Sequence, residues 1–164
     1  MTDSTAARGS GAAKNSDSTG HSEALSWLEG LPTRGLPDAL GIEVTELTAK
    51  RVVATMPVDN RTRQPFGILH GGASVALAET VASLGAVMNI DRERSSAVGV
   101  EINANHLRAK SEGIVTAIGV PIHVGRSTQV WEIRITDESG KMVCISRCTL
   151  AVVPANAAGR KTST

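Results

Sequence analysis

The chain contains no tyrosine, one phenylalanine and two tryptophans among 164 residues. That leaves almost no aromatic platform on which single-stranded nucleic acid could stack. Neither sign of charge dominates: 17 Lys and Arg stand against 16 Asp and Glu, a formal net charge of +1. No global field favours nucleic acid or an anionic membrane as a partner. No apolar run has transmembrane length, and the N-terminal residues lack the apolar core of a signal peptide, so a cytoplasmic protein is expected. The sequon Asn60-Arg61-Thr62 is then expected to carry no glycan. The two cysteines, Cys144 and Cys148, fall four residues apart in a stretch that reads as a strand. There they share a face roughly 13 Å apart, too far for an unstrained disulfide. Free structural thiols are expected. The four histidines are scattered and no CxxC occurs, so no metal site is expected.

What is present is one domain's length of chain, organised around Gln64 to Met88, QPFGILHGGASVALAETVASLGAVM. It opens as a polar loop with Gln64, Pro65 and Gly67, passes through His70-Gly71-Gly72, and becomes a run rich in Ala, Leu and Val without proline. A helix of about five turns is expected, fit for burial on nearly every side. Glu79 is the only charged residue between His70 and Met88. A carboxylate in such a helix is costly unless something uses or satisfies it. Helical spacing sets Gly72, Val75, Ala76, Glu79, Ser83 and Ala86 along one stripe. Ser83 lies one turn after Glu79, within reach of the same reacting atoms. At the helix start, free N–H groups and the positive dipole end favour a carbonyl oxygen or oxyanion, and glycine lets a ligand come close. A plainer reading stands beside this one. Glu79 can pair with a basic residue elsewhere, and His70-Gly71-Gly72 can be only a turn and a cap.

Taken in order, residues 1–21 are dominated by small and polar residues and are expected to be a disordered tail. Ser22 to Leu28 reads as a short helix capped by Ser22 and stopped by Gly30. Leu31 to Leu40 reads as a connector with Pro32, Gly35 and Pro37. Gly41 to Ala49 and Arg51 to Val58 read as strands, and the central helix follows the loop from Asp59 to Ile68. Strands are expected again from Ala97, from Gly113 to His123, from Gln129 to Thr136 and from Met142 to Val153. Trp131, Ile133 and Ile135 alternate cleanly with Glu132, Arg134 and Thr136. Pro154 opens a second polar tail, so one domain spans 22–154 and 155–164 is a flexible end. One long helix among strands joined by short turns points to an α+β plan, an antiparallel sheet wrapped around a single central helix. One helix covers only one side of such a sheet, so self-association is expected to cover the rest.

This element order, with QPFGILHGGASVALAE at residues 64–79, resembles the hotdog-fold acyl-CoA thioesterases of the phenylacetate-pathway and Arthrobacter-type 4-hydroxybenzoyl-CoA branch. The similarity continues through GVEINANHLRAKSEG at 99–113 and PIHVGRSTQVWEIRITDESGK at 121–141. Within the branch, INANH and QVWEI make it most similar to the 1,4-dihydroxy-2-naphthoyl-CoA thioesterases of menaquinone and phylloquinone synthesis. The resemblance implies that Glu79 is the catalytic carboxylate, either attacking the thioester carbonyl or activating the water that does. It implies that the Gly71 N–H polarises that carbonyl, that Gln64 and His70 line and orient the site, and that Ser83 helps to place the water or the leaving thiolate. It implies that His106, Arg108 and the turn Gly125, Arg126, Ser127 and Thr128 hold coenzyme A, which enters as part of the substrate and not as a cofactor. It further implies a homotetramer, a dimer of dimers, with Gln64, His70 and Gly71 of one subunit facing Glu79 and Ser83 of another.

The acyl pocket is expected to draw on Phe66, Val87 and Met88, and the substrate to be an aromatic or a medium-chain acyl-CoA. Two other readings differ in class. A hotdog dehydratase would need its own His–acid arrangement, which is missing here. A non-catalytic acyl-CoA-binding module would bind ligand without releasing thiol.

Overall fold

The computed structural model describes residues 16–31 and 35–158. Two short helices come first, α1 (Ser16–Glu29) and α2 (Leu36–Leu40). They are followed by β1 (Glu43–Leu47), β2 (Val52–Pro57), the long helix α3 (Gly71–Val87), β3 (Ser95–His106), β4 (Ile114–Val124), β5 (Thr128–Asp137) and β6 (Met142–Pro154). The strands form one six-stranded sheet in the order β1-β2-β4-β5-β6-β3, and every pairing is antiparallel. This is the expected α+β plan.

The sheet curls around α3 because its inward positions are small or aliphatic. Ala54 and Met56 on β2, Ala117 on β4, Ile133 and Ile135 on β5 and Leu150 on β6 are all 0% exposed. Two glycines allow the close approach. A Cβ at Gly85 would overlap the Trp131 ring, and one at Gly119 would overlap Val81. Trp131 is fully buried, and its indole N–H donates to the Gln129 side chain at 3.2 Å. Gln129 in turn donates to the Ala86 carbonyl at 3.2 Å, tying the end of α3 to β5. Cys144 and Cys148 are buried and free, opposite the inward residues Ile135 and Trp131.

Several local expectations are corrected. The first helix starts at Ser16, not Ser22, and so takes in residues expected in the tail. The rest of that expected tail, residues 1–15, lies outside the described residues. The connector holds a helical turn, α2, because Pro37 falls in the first turn, where its missing N–H costs nothing. At the other end the last strand runs through Pro154 and a 3-10 turn continues to Ala158. Most important, α3 is not buried all round. Ala73, Ser74, Leu77, Ala78, Val81, Ala82, Gly85 and Ala86 face the sheet, while Glu79 is exposed.

Candidate active site

The exposed side of α3 opens on a cavity of about 580 Å³, lined by Gly72, Val75, Ala76, Glu79 and Ser83 of that helix and walled by Leu36 and Pro37 of α2. Five of the six residues assigned to the helical stripe therefore meet in one place. Ala86 does not; it lies in the core at 0% exposure, because three residues past Ser83 the helix has turned back toward the sheet. Phe66 is 87% exposed and is not among the residues lining this cavity, nor are Val87 and Met88. The apolar walls come instead from Leu36, Pro37, Val75, Ala76, Thr80 and Leu84.

Glu79 makes no hydrogen bond or ion pair among the described residues, and neither does the Ser83 hydroxyl. The salt-bridge explanation of Glu79 thus finds no partner among them. The Glu79 carboxylate lies over Gly99 on β3, where a Cβ would sit 2.6 Å from Oε1. Gly99 adjoins the β3 irregularity between Gly99 and Glu101. The charge of Glu79 is felt inside the sheet: burial, then Glu79 and Glu101, push the Cys148 thiol up to about 11.

The loop before α3 is pinned at both sides. The Thr62 hydroxyl, 1% exposed as a residue, donates to the Pro57 carbonyl at 2.7 Å. The His70 N–H donates to the Thr62 carbonyl at 2.8 Å, and the Leu69 N–H to the Lys110 carbonyl at 2.7 Å. Gln64 opens a tight turn that returns at Ile68, whose carbonyl accepts the Gln64 N–H, with Gly67 at φ 80. His70 is the N-cap of α3, and its Nδ1 accepts the Gly72 N–H at 2.8 Å. In the neutral ring the proton then rests on Nε2, turned away from the helix. The expectation of several free N–H groups narrows accordingly: Gly72 is used by the cap, while the Gly71 N–H makes no hydrogen bond among the described residues. The His106 ring lies beside Gly71, its Nε2 2.8 Å from where a Gly71 Cβ would be.

The structure does not bring all the expected site residues together in one chain. Gly71 and Glu79 are eight residues apart on one helix, about 12 Å along its axis. Gln64, His70 and Gly71 are absent from the lining of the Glu79 cavity. His106 ends β3 opposite Cys144, whereas Thr128 pairs with Ala151. These partners are seven positions apart along β6, so the Gly125–Thr128 turn and the exposed His106 and Arg108 stand about 24 Å apart. Sequence reasoning missed Gly99 and the α2 wall. Gly99 carried the signal of a glycine interrupting an alternating strand; the wall carried none.

Among the described residues no three of His, Cys, Asp or Glu gather so as to hold a metal ion. No helix among them is long and apolar enough to cross a membrane.

The chain belongs to the thioesterase superfamily, whose family model matches residues 66–144. It is thereby an enzyme of the thioester-hydrolase class. ComA2 of Bacillus subtilis is 62% identical over 118 residues, covering 72% of this chain and 94% of that protein. The 1,4-dihydroxy-2-naphthoyl-CoA hydrolase of Listeria monocytogenes is 52% identical, covering 72% and 95%. A solved thioesterase structure from Haemophilus influenzae matches with a TM-score of 0.75 and 48% identity, over 80% of this chain and 91% of that one.

Proposed function

We propose that this enzyme hydrolyses an aromatic acyl-CoA, with 1,4-dihydroxy-2-naphthoyl-CoA and hydroxybenzoyl-CoA as leading substrates. The observation that carries the reading is a carboxylate, Glu79, one turn from a hydroxyl, Ser83, neither with a partner among the described residues, in a cavity otherwise walled by small and apolar side chains. Its volume of about 580 Å³ is that of a small-molecule site. The 52% identical hydrolase of Listeria monocytogenes supports the naphthoyl member. That substrate would assign the chain to menaquinone synthesis.

In the reaction, water adds to the thioester carbonyl carbon, the C–S bond breaks, and the acid and CoA leave. Glu79 either takes the proton from that water or attacks first and forms an anhydride, which water then opens. Ser83 orients the water or the departing sulfur. The Gly71 N–H, at the positive end of α3, stabilises the charge that develops on the carbonyl oxygen. Gln64 and the Nε2–H of His70 orient the thioester.

About 12 Å of helix separates Gly71 from Glu79 in one chain, so the complete site needs Gln64, His70 and Gly71 from a second copy. The free outer edge of β3 supports such pairing: the strand is last in the sheet, adjoins Glu79 at Gly99, and leaves Val100 65% exposed. The same pairing is needed to bring His106 and Arg108 to the CoA held by Gly125, Arg126, Ser127 and Thr128. Two such dimers make the proposed tetramer. A cytosolic location accords with two free thiols, which reducing compartments keep unpaired.

The test is thiol release from dihydroxynaphthoyl, hydroxybenzoyl, phenylacetyl, hexanoyl and crotonyl CoA thioesters, with Glu79→Ala as control. Fast, Glu79-dependent release from an aromatic member supports the reading. Ligand binding with no release would replace it by a binding module.

A further inference from the structure

We propose that Lys110 is a positioning residue: its ion pair with Glu138 braces the loop that delivers His70 and the Gly71 N–H to the thioester. This rests on the functional reading and adds to it a residue that touches neither the substrate nor the reacting atoms.

The amides of Leu69 and His70, the two residues before Gly71, are held from two sides. The His70 N–H donates to the carbonyl of Thr62, a residue 1% exposed, so that hold is built into the core. The Leu69 N–H donates to the Lys110 carbonyl at 2.7 Å. Lys110 belongs to a stretch with little else to fix it. Its neighbours Ala109, Ser111 and Glu112 make no hydrogen bond among the described residues.

What fixes Lys110 is its own side chain, which is 19% exposed and donates from Nζ to Glu138 Oε2 at 2.5 Å. The other Glu138 oxygen accepts the Ile114 N–H at 2.6 Å. Glu138 itself stands in the turn between β5 and β6, which Asp137 closes. Asp137 Oδ1 accepts the Ser139 N–H at 2.9 Å, the Ser139 hydroxyl at 2.7 Å and the Lys141 N–H at 2.9 Å. The carboxylate that receives Lys110 is therefore anchored to the end of the sheet by charge-assisted bonds at both oxygens. The backbone makes room for it: a Cβ at Gly113 would overlap Glu138, and Gly113 lies at φ 84.

The brace acts on one side of the site. Leu107 and Arg108 donate their N–H groups to the Val143 carbonyl at 2.8 and 3.3 Å, a hold on β6 that does not pass through Lys110. Releasing Lys110 thus loosens Leu69 and the start of α3, where the carbonyl is polarised, and leaves Arg108 in place. The loss falls on kcat and not on KM.

The test measures kcat and KM per folded enzyme, on whichever of the dihydroxynaphthoyl, hydroxybenzoyl, phenylacetyl, hexanoyl and crotonyl thioesters wild type cleaves fastest. Amide hydrogen exchange at Leu69 and His70 is read beside it. Lys110→Met keeps the apolar stem and removes the charge. It is expected to lower kcat by about tenfold or more and to leave KM within about twofold. Exchange at Leu69 is expected to quicken by about tenfold or more while His70 keeps its protection. Lys110→Arg, which can still pair with Glu138, is expected to bring kcat back to within about threefold of wild type. Glu138→Gln keeps an acceptor for the Ile114 N–H, loses the charge, and decides alone if Lys110→Met does not fold. A kcat within about twofold of wild type in the uncharged variants, or a KM that rises as far as kcat falls, overturns the inference. Glu79-dependent hydrolysis beside an unmoved kcat leaves the functional reading standing and removes only the brace. Absence of wild-type turnover on every thioester removes both.

Discussion

Gly99→Ala leaves Glu79 in place chemically and moves it physically. The added methyl would lie 2.6 Å from Glu79 Oε1, against the 3.4 Å at which ordinary contact begins. The carboxylate must therefore retreat by about 0.8 Å. It can do so cheaply, since Glu79 is exposed and holds no partner among the described residues. Gly99 has no positive φ, so the strand accepts alanine without backbone strain. Stability should change little, by well under about 1 kcal/mol. Turnover should not: a displacement near 1 Å costs about 100-fold when geometry sets the rate. The assay is kcat for thiol release, with thermal unfolding run beside it. A variant with wild-type kcat and unchanged stability would refute the claim that the Glu79 position over Gly99 is the working one. A fall in both together would mean that the methyl disturbed the sheet and not the carboxylate.

Two further predictions concern stability. Gln129→Leu leaves the buried Trp131 N–H without an acceptor, while the Ala86 carbonyl keeps the Asn89 N–H. A loss of about 1–3 kcal/mol is expected, read as a lower denaturant midpoint at unchanged slope; an unchanged midpoint would sink it. Glu138 accepts from Lys110 at 2.5 Å and from the Ile114 N–H at 2.6 Å, and these hold its carboxyl at about 2, below the ordinary 4.5. A lowered folded value stabilises above pH 4.5 and is lost as pH falls toward 2. Glu138→Gln should therefore lower Tm at neutral pH, with the gap closing through that window; parallel Tm curves down to pH 2 would contradict it.

The strands were legible because their signals are local: alternation at Trp131, Ile133 and Ile135, and Gly140 in the turn before β6. The central helix was legible for the same reason, but its environment was not. Val75, Ala76 and Leu84 are as apolar as the core residues Leu77 and Val81, so composition alone could not divide the wall of a cavity from the inside of the protein. Only Glu79 and Ser83 marked the open side. A smaller apolar cavity lined by Leu28, Ile42, Val44 and Leu84 was invisible because it forms where α1, α2, β1 and α3 meet, and no single stretch encodes that meeting. Gly71 and Glu79 read as one motif in the sequence, yet the rise of the helix holds them apart in one chain.

The central claim is that Glu79 drives thioester cleavage, and single-turnover thiol release by wild type and Glu79→Gln tests it most directly. Gln keeps the shape and hydrogen-bonding capacity of the side chain but can neither accept the water proton nor attack the carbonyl. The account predicts that the variant still binds the acyl-CoA and releases thiol at least about 100-fold more slowly. Release at the wild-type rate would contradict it and move the chemistry to another residue.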